Sequence, residues 1–101
     1  MALRIITKKR FQNKVRKLNE YLISNWYESV AHDFELKLIS TIGLLSEQPQ
    51  LGSTVKGYND IRTILITEHN RLYYRIEKNT LVILNLIDTR RNPAKNPFKK
   101  P

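Results

Sequence analysis

Five arginines in the last forty residues carry the most chemistry in this chain: Arg62, Arg71, Arg75, Arg90 and Arg91. A guanidinium is planar, permanently charged and rich in N–H donors, so it grips phosphoryl or carboxylate oxygens in pairs. Arg71 and Arg75 lie four apart in the alternating run RLYYRI. Strand geometry therefore puts both on one face with Tyr73 and sends Leu72, Tyr74 and Ile76 to the other. Arg62 sits near the start of the preceding β-type run, and Arg90 and Arg91 leave the end of the last one. Together they predict a guanidinium platform on an open sheet surface. An arginine at a strand start also has a structural use, packing over Tyr73 through a cation–π contact. Proton transfer has fewer candidates. Glu68 and His69 share a hairpin loop, where a lone His reads first as a solvated turn residue, and His32 reads as structural or exposed.

The elements that must position these groups follow from spacing. Leu3 to Thr7 is short and β-branched, as a strand would be. Thr7 can cap a helix that begins at Lys8, whose apolar residues Phe11, Val15, Leu18 and Leu22 recur at four, three and four. Asn25 and Glu28 have the spacing of a capping box for a second helix, with Val30, Phe34, Leu38, Ile42 and Leu45 on one face. Pro49 ends it near Gln48. Two helices joined so closely should form an antiparallel hairpin. Three β-type runs follow: Ile61 to Thr67, Arg71 to Ile76 and Thr80 to Ile87. The links EHN and EKN are short enough for antiparallel hairpins, with Asn70 and Asn79 suited to positive φ. The last run is apolar on both faces, Leu81, Ile83 and Ile87 against Val82, Leu84 and Leu86, as an interior strand would be. The expected fold is α+β, ordered β-α-α-β-β-β: an antiparallel twisted sheet with an N-terminal helical hairpin on one face.

At 101 residues the chain is expected to be one domain, with the hairpin at about 8–48, the sheet at about 61–88 and a basic tail at 89–101. The absence of cysteine excludes disulfide scaffolds and Cys-based zinc sites. No secretory signal and no run near the ~20 apolar residues of a membrane span is evident, so a cytoplasmic protein without a membrane partner is expected. The net charge of +9 is unevenly placed. Met1 to Lys17 holds seven basic residues and no acid, and Thr89 to Pro101 holds five and none. Six of the nine acids fall between Glu20 and Asp60. Such segregation points to a polyanionic partner, nucleic acid or an acidic protein.

The ordered set of AHDFELKLISTIGLLSEQPQLG, IRTILITEHNRLYYRIE and VILNLIDTRRNP resembles the RelE/ParE superfamily of toxins from bacterial type II toxin–antitoxin modules, over nearly the whole chain. That resemblance implies a growth-inhibiting toxin of plasmid-stabilisation type, with no cofactor or metal, neutralised by a cognate small acidic antitoxin. The family divides by target. RelE-like members cleave messenger RNA in the ribosome, whereas ParE-like members poison DNA gyrase.

Metal-free RNA cleavage needs cations on the phosphoryl oxygens and a group to transfer protons. Arg71 and Arg91 match positions where nucleolytic relatives place phosphate-binding arginines, and Arg62 falls where some carry a basic residue, so these three are the catalytic candidates if the chain is a nuclease. The Tyr or His that such relatives carry after the last strand has no counterpart here. Phe98 stands in that region and cannot transfer a proton. The resemblance therefore leans to the ParE-like branch, with a RelE-like endoribonuclease as the alternative and a generic basic nucleic-acid-binding domain as the third reading. Arg75, Arg90, Arg91 and Lys95 are the candidates for binding the target or nucleic acid. Lys9, Arg10 and Lys14 are the candidates for the antitoxin, expected in the groove between the helical hairpin and the sheet edge.

Overall fold

In the computed structural model, which describes residues 2–90, the apolar spacing of the first half becomes two helices, α1 (Lys9–Asn25) and α2 (Glu28–Glu47). Strand β1 (Arg4–Thr7) precedes them, and β2 (Ser53–Val55), β3 (Tyr58–Thr67), β4 (Asn70–Glu77) and β5 (Thr80–Asp88) follow. The expected β-α-α-β-β-β order is present with one addition, the short strand β2 on the far side of β3. The sheet order is β1-β5-β4-β3-β2, and the sheet is mixed: β1 runs parallel to β5, from Arg4 opposite Thr80 to Thr7 opposite Ile83. Parallel pairing joins the two ends of the chain, so no local turn announces it.

The helices cover one face of the sheet. Phe11, Leu38 and Leu45 pack with Ile66, Leu72, Tyr74, Leu81, Ile83 and Leu86 in one continuous core. Leu45, Leu72 and Leu81 are fully buried, each contributing on the order of 2 kcal/mol. A smaller cluster of Ile61, Tyr73 and Ile87 lies on the opposite, open face. Val30 was expected on the buried stripe of α2, but it is exposed, and Ala31 takes the buried position in the first turn.

Three local expectations are corrected. Lys8, not Thr7, is the N-cap of α1, and Thr7 instead accepts hydrogen bonds from Gln12 Nε2 through its hydroxyl (2.8 Å) and carbonyl (3.1 Å). The capping box also fails to form. Tyr27 is the N-cap of α2, and Asn25 turns back to donate to the Tyr21 carbonyl at 3.0 Å. In the last hairpin the left-handed residue is Lys78 (φ 54°), not Asn79, and Asn70 is not left-handed either.

The period of β5 slips once. Tyr73 faces Asn85, yet Tyr74 faces Ile83, so Leu84 is an extra residue in the ladder. Beyond such a bulge each side chain turns to the face opposite the one simple alternation gives. Leu86 accordingly joins the covered core and Ile87 the open cluster, the reverse of the expected assignment. Among the described residues no helix is long and apolar enough to cross a membrane.

Candidate cationic site

The bulge and the ladder together decide where the cations stand. Arg71 and Arg75 flank Tyr73 on the open face, as alternation predicts, because Leu72 and Tyr74 are buried against the helices. Arg71 Nη1 approaches the Thr63 hydroxyl at 3.4 Å, and that hydroxyl donates to the Leu72 carbonyl at 2.9 Å. Arg75 gives Nε and Nη2 to Glu77 Oε2, each at 3.0 Å. Both arginines are half-buried, and each guanidinium has more N–H groups than these contacts use.

Arg62 goes elsewhere. It pairs with Tyr74 in the ladder and so lies on the helix-covered face. Its Nη1 donates to the Gly52 carbonyl at 2.7 Å and the Gln50 carbonyl at 3.3 Å. The Tyr74 hydroxyl secures the same segment, accepting from Gly52 N at 2.9 Å and donating to the Pro49 carbonyl at 2.7 Å. Burial pushes the Tyr74 phenol above its ordinary value, which keeps the donating proton in place. A Cβ at Gly52 would run into the Tyr74 ring and lie 2.9 Å from the Thr63 carbonyl, so the loop closes tightly here because glycine lacks one. Arg62 and Tyr74 thus tie the α2–β2 loop to the sheet, away from Arg71 and Arg75.

The end of β5 holds Arg90 in place. Its Nε and Nη2 meet the two Asp88 carboxylate oxygens at 3.1 and 2.9 Å, and its backbone N–H donates to Asp88 Oδ1 at 2.8 Å. The Arg90 guanidinium holds the Asp88 carboxyl below its ordinary 3.8. Asp88, Arg90, Lys14, Lys17 and Tyr21 line a cleft of about 380 Å³ between α1 and the sheet. A second cleft, of about 400 Å³, lies at the start of α1, where Lys8, Lys9 and Arg10 face Arg75 and Asn85. Helix α1 is therefore a shared basic wall: Lys9 and Arg10 stand with Arg75, and Lys14 stands with Arg90. Arg91 and Lys95 lie outside the described residues.

Two neighbours of these clefts escaped sequence reasoning. Asn85 is buried, and its only signal was a lone amide inside the apolar run LVILNLI. Lys8 entered only as the expected start of α1 and as one of the basic residues up to Lys17, with no binding role. His69 pairs with Glu68 (Nε2 to Oε1, 3.1 Å) at the β3–β4 turn. No group of three or more His, Asp or Glu side chains able to hold a metal occurs among the described residues.

Comparison with known proteins decides the family. The model of the ParE toxin of the type II toxin–antitoxin system parDE matches residues 5–93. The chain belongs to the ParE toxin family. It is thus a toxin of the RelE/ParE superfamily, and membership implies a cognate antitoxin as partner. Solved structures share the fold. The chromosomal ParDE system from P. aeruginosa aligns with TM-score 0.73 and 9% identity, over 86% of this chain and 96% of that one. The isolated E. coli RelE toxin aligns with TM-score 0.58 and 18% identity, over 90% and 88%. The YoeB dimer of Staphylococcus aureus aligns with TM-score 0.60 and 14% identity, over 90% and 100%. No curated protein sequence matches the chain significantly.

Proposed function

We propose that this toxin is ParE-like in action as well as in family and poisons DNA gyrase, its open sheet face and basic α1 wall serving as the contact surface. The observation that carries this reading is the ParE toxin match over residues 5–93. The site's chemistry supports it: Arg71 and Arg75 offer anion-binding donors, while Tyr73, between them, is packed into the Ile61–Ile87 cluster. Such a surface suits binding: among the described residues, the carboxylate beside Arg75 is Glu77, and it is taken up in an ion pair with that arginine.

Purified toxin added to gyrase and supercoiled plasmid should produce gyrase-dependent DNA cleavage complexes. A variant carrying Arg71→Ala and Arg75→Ala should yield at least about tenfold fewer, as expected when charged contacts are truncated at an interface. Ribosome-dependent transcript cleavage that disappears in Arg71→Ala and Arg91→Ala, with gyrase untouched, would establish the RelE-like alternative.

The antitoxin reading concerns the same wall. An acidic segment that folds on binding would lie along α1 against Lys9, Arg10 and Lys14 and neutralise the basic face. Charge reversal at those three positions should weaken the toxin–antitoxin complex, measured by calorimetry. An affinity that ignored the reversals would rule this out.

A further inference from the structure

The cleft between α1 and the end of β5 carries its own internal ligand. Three cations line it, Lys14 and Lys17 from the helix and Arg90 from the strand exit, against a single acid, Asp88. That acid is spent on Arg90. The guanidinium sets Nε and Nη2 on the two carboxylate oxygens at 3.1 and 2.9 Å, side by side, as an arginine takes up a carboxylate from a partner molecule. Leu18 and Leu86 supply apolar wall beside the cations, and Tyr21 adds a ring that is 50% exposed.

The two halves of this pair are held differently. Asp88 ends β5, where Thr89 N donates to the His69 carbonyl at 2.9 Å and the Thr89 hydroxyl to the Glu68 carbonyl at 3.2 Å. Its carboxylate also accepts the Arg90 backbone N–H at 2.8 Å, a bond that does not need the guanidinium. The Arg90 side chain is 65% exposed, and its hydrogen bonds among the described residues all go to Asp88. If the guanidinium turns away, Asp88 keeps a backbone donor and water. The exchange therefore costs little, as it does for solvent-exposed ion pairs in general.

From these contacts we infer that the cleft takes a carboxylate of an acidic peptide segment on Arg90 and its neighbouring lysines, and that Asp88 is the built-in competitor which the partner displaces. The inference rests on the antitoxin reading of the α1 wall and extends that site to Arg90 at its far end. A peptide can set an aspartate or glutamate on the cations and an apolar side chain on Leu18 and Leu86 at once. A nucleic-acid backbone offers the charge without the apolar partner, so the peptide is the better fit. Asp88 also sets a threshold: an isolated anion must outbid a carboxylate already in place, whereas a segment held along the rest of α1 competes with the advantage of linked contacts.

The experiment is a double-mutant cycle at Asp88 and Arg90 in the full chain. Binding is read by fluorescence anisotropy of a labelled synthetic peptide in which glutamate and leucine alternate, at about 0.15 M salt to screen distant charges. Asp88→Asn should bind the peptide about threefold more tightly than wild type, and Arg90→Ala about threefold less tightly. In the Arg90→Ala background, Asp88→Asn should make no difference, whereas a general effect of removing one negative charge would persist there. A thermal melt verifies that each variant folds, and Asp88→Ser replaces Asp88→Asn should that one not fold. The inference is overturned if the Asp88 variant binds as the wild type does, if its gain survives in Arg90→Ala, or if a single-stranded oligonucleotide binds more tightly with the same coupling. A toxin whose antitoxin complex responds to charge reversal at Lys9, Arg10 and Lys14, yet shows no coupling between Asp88 and Arg90, overturns this inference and leaves the antitoxin reading standing.

Discussion

Tyr73 and Tyr74 are adjacent in sequence, and the faces they serve have opposite tasks. Tyr74 lies under the helices and, with Arg62, spends every polar contact on closing the α2–β2 loop. Tyr73 lies on the open face between Arg71 and Arg75, whose guanidinium groups retain donors after their intramolecular contacts. Arginine alone does not mark a binding site. Whether its donors meet backbone carbonyls or face outward decides the role, and strand alternation decides which of these happens.

The sharpest way to break the comparison is on the covered face. Gly52→Ala should cost about 2–3 kcal/mol in chemical denaturation, because its Cβ must displace the Tyr74 ring or the Thr63 carbonyl. Tyr74→Phe should cost about 1–3 kcal/mol, leaving Gly52 N–H and the Pro49 carbonyl without their partner. Arg62→Ala should lose about 1–2 kcal/mol by the same measurement, with Arg71→Ala within about 0.5 kcal/mol of wild type. If Arg71→Ala proved the more destabilising, the division of labour between the faces would be wrong.

The smallest effect belongs to the end of β5. Asp88 has its folded-state pKa lowered by Arg90, so the stabilisation exists above the unfolded value near 3.8 and is lost as pH falls through the folded value. The pair is largely solvent-exposed and screened, so Asp88→Asn should lower Tm by only about 1 °C at neutral pH. Melting curves of the two proteins should converge below the usual carboxylate range.

Much of the frame was legible from spacing. The apolar stripes gave both helices to within a few residues, and alternation in RLYYRI correctly placed Arg71 and Arg75 with Tyr73 and Leu72 with Tyr74. Capping was misread at both helices because Thr and Asn have competing local partners. Thr7 is engaged by Gln12, and Asn25 bonds back to Tyr21. Arg62 could be recognised in sequence as a strand arginine, yet not as a loop clamp, because the carbonyls it holds come from a separate segment.

What the sequence by itself determined is therefore the periodic part: the helical hairpin, the three longer strands of the second half, the cation-rich ends and the shared face of Arg71 and Arg75. Those signals are local, since a period of 3.6 or 2 is written in neighbouring residues. Only the tertiary structure decided the parallel pairing of β1 with β5, the slip at Leu84 and the meeting of the α1 N-terminus with Arg75 and Asn85. The first and last depend on segments some 70 residues apart and the slip on the pairing of β4 with β5, all set by how the whole core packs rather than by any one stretch of chain.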